Sequence, residues 1–308
     1  MLPSRDKDQP VVLLAGGTGY VGTRLTPLLE QEAVQLRCLA RTPDTLRRQV
    51  KQTTEIVQGD VLDPPSLDRS LRGVDTAFYL VHLMSGSKDF EKDDRSAAMN
   101  FAGAAARAGV RRIIYLGGLG DDSDPELSPH LRSRHEVGEI LRKSGVETIE
   151  FRASAVIGAG SVSFELVRAL TDRLPVMICP RWLVTRTQPI AIDDALAYLL
   201  AAMELPAGAS RIFEIGSADV VTYGGMIREY ARQKGLRRWL IPVPLLTPYL
   251  SGLWLALVTP ATSEVGRHLV EGLRNPTVVR DTKALDAFPI RPMGMRQAIQ
   301  KALACDKG

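Results

Sequence analysis

The stretch VVLLAGGTGYVG, Val11 to Gly22, decides the fold. Four consecutive apolar residues, Val11 to Leu14, have the length and composition of a buried strand. Gly16, Gly19 and Gly22 follow at GxxGxxG spacing, and Thr23 to Glu32 continue with helical character. A strand, a glycine turn and a helix in that order make a cradle for phosphate. The N–H groups of the first helical turn and the positive end of the helix dipole both point at the anion. The spacing has a mechanical reason: Gly16 makes the tight turn, Gly19 lets the backbone approach a pyrophosphate, and Gly22 lets the helix pack closely on the strand. Thr18, Tyr20 and Val21, interleaved with these glycines, belong to the same cradle. Plain loops also use glycine, so the flanking strand and helix are what give this triplet its meaning.

The remaining composition narrows the class. A chain of 308 residues, 45% hydrophobic and 24% charged, has the makeup of an ordinary globular protein, with length for one large or two small domains. The net charge of +4 comes from scattered basic doublets such as Arg47-Arg48, Arg111-Arg112 and Arg237-Arg238. With no groove-reading motif beside them, they argue against nucleic acid as a partner. Cys38, Cys179 and Cys305 are odd in number and far apart, which fits a reducing, cytoplasmic setting and offers no metal spacing. The four histidines lack zinc-ligand spacing, and no metal is expected. Asp121, Asp122 and Asp124 lack the pattern of a calcium loop and are expected to form a solvated turn. The N-terminal MLPSRDKDQP has no apolar core, so no signal peptide is expected.

Beyond the cradle, strands are expected at Val34–Ala40, Glu55–Gln58, Thr76–Val81, Arg112–Leu116 and Thr148–Phe151. Helices between them are expected at Thr42 onward, Ser66–Arg72, Asp93–Ala108 and Ser133–Lys143, three of them closed by Gly73, Gly109 and Gly145. That alternation means βαβ units, hence an α/β fold with a doubly wound parallel sheet covered on both faces. Residues 10–160 are expected to form this core, with 187–217 returning to it through the strand Arg211–Ile215. Residues 161–186 and 218–308 are left for a smaller, substrate-side region. Within it, Trp239 to Ser263 is 25 residues long without a charge. Pro242, Pro244, Pro248 and Pro260 argue against a membrane span and leave a buried lid or core element, or a contact with an apolar substrate, a protein or a membrane surface.

The residue about twenty positions past the glycines separates the two nicotinamide cofactors. Ala40-Arg41-Thr42 stands there with no acid. A carboxylate would repel a 2′-phosphate, whereas Arg41 can meet it with a bidentate, charge-assisted pair, so NADP(H) is expected over NAD(H). A solvent-facing charge at a strand end is the plain alternative for Arg41. Asp60, after the third strand, is placed either to accept from an adenine amino group or to close a turn.

These residues resemble the short-chain dehydrogenase/reductase superfamily, in its extended and atypical members. The resemblance rests on GGTGYVG at 16–22, GDVLDP at 59–64, YLVH at 79–82, the Asn100 helix followed by AARAGVRRIIYLGG, and QPIAIDDALAYLL at 188–200. HLRSRHEVGEILRKSGV at 130–146 with LPVMICPRW at 174–182 is similar, more narrowly, to NmrA-like NAD(P)H-binding proteins, which are related to the NADPH-holding accessory subunit of respiratory complex I. The resemblance implies strand order 3-2-1-4-5-6-7. It also implies a cofactor lying across the carboxyl ends of the strands, against Val61, Leu80, Val81, His82, Gly117 and Val156. Catalytic members carry Ser, then Tyr and Lys in YxxxK. Here Gly118, His130 and Arg134 stand at those positions, so the candidate catalytic set is His130, Arg134 and Asn100. His130 is either a proton donor near neutral pH or a plain loop histidine beside Pro129, and Arg134 either bonds a ribose or is an exposed helix arginine. Two functions stay open: an NADP(H)-dependent oxidoreductase acting on an apolar carbonyl, quinone or enone-like small molecule, or a non-catalytic NADP(H) holder serving as redox sensor or assembly subunit. The oligomeric state is open as well.

Overall fold

The computed structural model describes residues 9–83, 89–179, 181–242 and 272–305. Seven parallel strands form its main sheet: β1 (Val11–Ala15), β2 (Gln35–Ala40), β3 (Glu55–Gln58), β4 (Thr76–Tyr79), β5 (Arg112–Gly118), β6 (Glu147–Ala153) and β7 (Arg211–Ile215). Their order across the sheet is β3-β2-β1-β4-β5-β6-β7, the order that the family resemblance implies. The chain therefore winds outward in one direction from β1 and in the other from β4. Between the carboxyl ends of those two strands opens the crevice where ligands of doubly wound sheets are held.

Alternation along each strand feeds two separate cores. Val12 and Leu14 of β1 join Phe78, Ile114, Ile149 and Phe151 on one face. Leu13 and Ala15 join Ala77, Tyr79, Ile113 and Tyr115 on the other. Helix α1 (Tyr20–Leu29) packs on the first face and carries Pro27 inside it. Helices α2 (Pro43–Arg47) and α3 (Pro64–Ser70) follow β2 and β3. Thr42 precedes α2, but its hydroxyl makes no capping bond and its carbonyl instead accepts from Thr45 Oγ1 (2.6 Å). Helix α4 (Phe90–Ala108), whose alanines 97, 98, 104 and 105 are fully buried, packs on the second face and ends at Gly109.

Helix α5 spans Pro129–Arg142 and begins four residues before the Ser133 start expected from sequence. Two local signals move it. Ser128 Oγ accepts from the Leu131 N–H (3.3 Å) as an N-cap, and Pro129 fills the first helical position, where its missing N–H costs nothing. His130 is thus a first-turn helical residue and not a loop residue, and Arg134 stands one turn further along the same face.

A third core lies beyond β6, under α6 (Val162–Arg173), α8 (Tyr223–Gln233) and α10 (Met295–Cys305), with Phe164, Leu170, Trp182, Ile227, Tyr230 and Ile299 buried in it. Helices α7 (Ile192–Ala201) and α9 (Lys283–Ala287) return to the first core. Short pairs join these parts, among them Val156–Ile157 with Ile190–Ala191 and Val176–Cys179 with Trp239–Pro242. Of the uncharged stretch 239–263, residues 243–263 lie outside those described, and Trp239–Pro242 is a strand with Trp239 largely exposed. Among the described residues no helix is long and apolar enough to cross a membrane. The turn read as solvated leaves Asp122 exposed, and its three carboxylates are tied down as well. Asp121 pairs with Arg280 (2.6 Å), Asp122 with Arg152 (2.7 Å), and Asp124 accepts from Asn275 (2.9 Å), because partners from β6 and from the segment before α9 converge on it.

The cradle tolerates no side chain at two of its glycines. Gly16 has φ +96°, and a Cβ there would meet the Leu80 carbonyl at 2.6 Å. A Cβ on Gly22 would lie 2.2 Å from the Gly16 carbonyl, so α1 packs against the turn itself. Gly22→Ala is expected to destabilise the chain by about 1–3 kcal/mol through overpacking, read as a lower urea midpoint at unchanged m-value. Gly73→Ala, where no atom lies within 4 Å but φ is +71°, is expected to cost about 1 kcal/mol.

Candidate functional site

Two cavities meet at His82. The first, about 160 Å³, runs over the carboxyl ends of β1, β2, β3 and β4. Nine residues singled out from sequence line it: Gly16, Thr18, Gly19, Arg41, Asp60, Val61, Leu80, Val81 and His82. No side chain caps α1, whose N-cap is Gly19, so its first-turn N–H groups face the cleft uncapped. Arg41 is exposed at the rim, and its side chain makes no hydrogen bond or ion pair among the described residues. Asp60 accepts from the Leu62 N–H through Oδ1 (2.9 Å), so the turn role is present even as the residue lines the cleft. A narrow cleft with glycine walls at its base, an uncapped helix start and a cation at the end of β2 fits a dinucleotide: pyrophosphate at 16–19, adenosine ribose toward Arg41 and adenine near Asp60.

Tyr20 and Val21 take other places. Val21 packs on the first core. Tyr20 turns toward Gly158, with the Arg24 guanidinium 4.0 Å over its ring, and burial pushes its hydroxyl up to about 12.

The second cavity, about 220 Å³, is mostly apolar. Leu166, Val167 and Leu170 of α6, Ile227 of α8 and Leu273 form its greasy wall, and His82, which also lines the nucleotide cleft, together with Gly117, His130, Arg134 and Val156, stands where it opens toward that cleft. Gly118 lies in the serine position, filled against Leu131: a Cβ there would meet Leu131 Cδ2 at 2.8 Å. Arg134 lines the cavity with two donors held by the sheet, Nη1 on the Val81 carbonyl (3.2 Å) and Nη2 on the Leu116 carbonyl, while its guanidinium sits 4.8 Å over the Tyr115 ring. It is 8% exposed, which disposes of the exposed-arginine reading. Asn100 does not join His130 and Arg134. Its Nδ2 donates to the Val61 carbonyl (3.2 Å), tying α4 to the loop after β3, and it lines neither cavity.

Several residues at the site gave no sequence signal. Asp94 of α4 is 1% exposed and accepts from the Leu83 N–H (3.0 Å), from Ser133 Oγ (3.0 Å) and from His82 Nδ1 (3.1 Å). His82 Nε2 in turn lies 3.2 Å from His130 Nδ1. The groups stand in series, carboxylate to imidazole to imidazole, and do not converge on a metal position. Deeper in, the hydroxyls of Ser154, Thr187 and Thr277 lie 2.6–2.9 Å apart and Tyr223 bonds to both threonines. The buried Trp182 Nε1 has no partner among the described residues.

Burial pushes the His82 pKa down, and nearby Arg134 adds to this, outweighing the opposing Asp94 contact. Burial alone would raise Asp94, but His82, Arg134 and the Leu83 N–H together hold it below the usual carboxylate range. At neutral pH the pair is therefore ionised Asp94 with neutral His82.

Known proteins place this arrangement. A family model described as NAD(P)H-binding matches residues 16–168. A reductase of Streptomyces griseus, the (4-alkanoyl-5-oxo-2,5-dihydrofuran-3-yl)methyl phosphate reductase, is 30% identical over 73% of this chain and 74% of its own. The chain belongs to the NAD(P)H-binding, NmrA-like atypical short-chain dehydrogenases/reductases. The ceramide reductase of Caulobacter vibrioides is 26% identical to this family member over 83% of its chain and 82% of the relative's. The fold is shared with Citrobacter sp. triphenylmethane reductase complexed with NADP(H), at a TM-score of 0.74 and 14% identity over 95% of this chain and 99% of that one.

The histidines have a consequence for stability. His82 and His135, the latter also lowered chiefly by burial, are neutral in the folded protein and protonate more readily unfolded. Below the unfolded value of about 6.5 the unfolded chain binds more protons, so stability is full above it and falls on acidification toward the lower folded values. Unfolding midpoints are expected to drop between about pH 7 and pH 5, and the slope to flatten in a His82→Gln, His135→Gln variant.

Proposed function

We propose that the protein is an NADP(H)-dependent reductase of a small, apolar molecule bearing a carbonyl, quinone or enone group. The observation that carries this is the apolar cavity with His130 at its mouth, opening through His82 onto the nucleotide cleft. Bound NADPH supplies the hydride; the protein supplies placement and the proton. The leucines, valine and isoleucine of the far wall seat the apolar body and exclude water, which leaves the reducible group facing the mouth. Trp182 Nε1, which has no partner among the described residues, offers one donor to an acceptor atom on the substrate, since a buried N–H without a partner is costly. His130 takes the proton-donating role that the tyrosine has in YxxxK members, one helical turn before Arg134. Two relatives named as reductases support the reaction class. At the rim of the cleft, Arg41 is the residue assigned to the 2′-phosphate.

Arg41→Glu tests the nucleotide. The ratio of NADPH to NADH affinity, by fluorescence titration, is expected to fall at least about tenfold, since one charge-assisted pair is lost and one repulsion added. An unchanged ratio contradicts the assignment. NADPH oxidation followed by stopped flow against menadione, cinnamaldehyde and 9,10-phenanthrenequinone tests the reaction. At least one acceptor is expected to oxidise NADPH well above background, and His130→Phe to slow that step by about 100-fold or more. No oxidation by any acceptor, with nucleotide bound, favours the non-catalytic holder.

A further inference from the structure

Carbonyl reduction adds one hydride and one proton to the substrate, and a histidine can give the proton only if its two nitrogens are fixed in the right roles. An isolated imidazole is free to place its single N–H on either nitrogen. Here the partners remove that freedom. Asp94 is ionised and buried, so it can only accept; the hydrogen between it and His82 must sit on His82 Nδ1. A neutral His82 then presents a bare Nε2, and the hydrogen in the 3.2 Å contact to His130 must sit on His130 Nδ1.

We infer that Asp94 and His82 are positioning residues for His130, a buried carboxylate–imidazole chain that fixes the histidine tautomers and assigns the substrate proton to His130 Nε2. This rests on the reductase reading above. In the step, the hydride that NADPH would supply forms the new C–H bond, with NADP⁺ as the oxidised product. The C=O π pair ends on oxygen, the Nε2–H bond of His130 imidazolium breaks, an O–H bond forms, and neutral His130 regains its proton from water. His130 keeps its Nδ1–H on His82 throughout, and the Asp94 charge stabilises the imidazolium two bonds away.

The surroundings favour this order of charges. Among the described residues, the charged and titratable groups around Asp94 and His82, besides His130, are Arg134 from α5 and Tyr79 and Tyr115 from β4 and β5. Burial raises both tyrosines, so they stay neutral. Arg134, held on the Val81 and Leu116 carbonyls, opposes a cation on His82 and leaves it as an acceptor. Leu83 N–H and Ser133 Oγ hold the carboxylate in place, so it cannot swing away from His82.

The test uses the full chain and ¹⁵N-labelled histidine, assigned with His82→Gln and His130→Phe. At about pH 8 the wild type is expected to show both rings in the Nδ1–H tautomer, the rarer form in free imidazole side chains. Asp94→Asn is expected to shift His82 toward Nε2–H and to lower the His130 pKa by about one unit, because a neutral amide stabilises no imidazolium. With NADPH and 9,10-phenanthrenequinone, the alkaline limb of kcat is expected to move acidward by the same amount while the NADPH KM stays within about twofold. Ser133→Ala removes one of the two other bonds that hold the carboxylate and is expected to shift the tautomers and the pH limb in the same direction as Asp94→Asn, but by less. An Nε2–H tautomer on wild-type His82, or a His130 titration unmoved in folded Asp94→Asn, overturns the inference. The imidazole spectra decide it whether or not the quinone is turned over, whereas turnover decides the reductase reading.

Discussion

The structure depends on one close approach, between the turn after β1 and the carbonyl of Leu80 at the end of β4. A Cβ on Gly16 would stand 2.6 Å from that oxygen, so only glycine lets the first and fourth strands end side by side with the turn folded between them. Because the chain winds away from β1 in one direction and from β4 in the other, that is also where the sheet leaves a crevice. The cradle, the rim with Arg41 and Asp60, and the mouth with His82 are all located from this point.

Much of this could be read from the sequence because it is local. A four-residue apolar run, a glycine spacing and a helix after it describe one supersecondary unit, and the nine cleft residues lie within a few positions of strand ends. The start of α5 misled for a local reason too. Ser128 and Pro129 are an N-cap and a first-turn proline, but the apolar periodicity that draws the eye begins only later in the helix. Asn100 misled for a different reason: its position on α4 matches the family pattern, yet its amide is spent on the Val61 carbonyl.

What was not legible is what folding assembles from afar. Asp94 sits in a helix whose buried face is otherwise alanine and phenylalanine, and nothing in the sequence distinguishes it from its neighbours, half-buried Asp93 and exposed Arg95. Its role appears only when β4 brings His82 beside α4 and α5 brings His130 beside His82. The hydroxyl group of four, Ser154, Thr187, Tyr223 and Thr277, is drawn from four separate segments and carries no periodic signal. Side chains that touch across more than a hundred residues, as Ser154 and Thr277 do, leave no mark in a window of sequence.

Two levels of physics therefore divide the molecule. Backbone geometry at the cradle is dictated by where a Cβ cannot go, and it identifies the nucleotide class. Side-chain chemistry at the second cavity is set by burial and by partners, and it determines what the protein does with the nucleotide. Hydrogen–deuterium exchange with and without NADPH tests the link between them most directly. The account predicts slowed exchange at the amides of residues 17–22 together with residues 80–83, the two sides of the crevice. Binding of NADPH with no protection at either segment contradicts it.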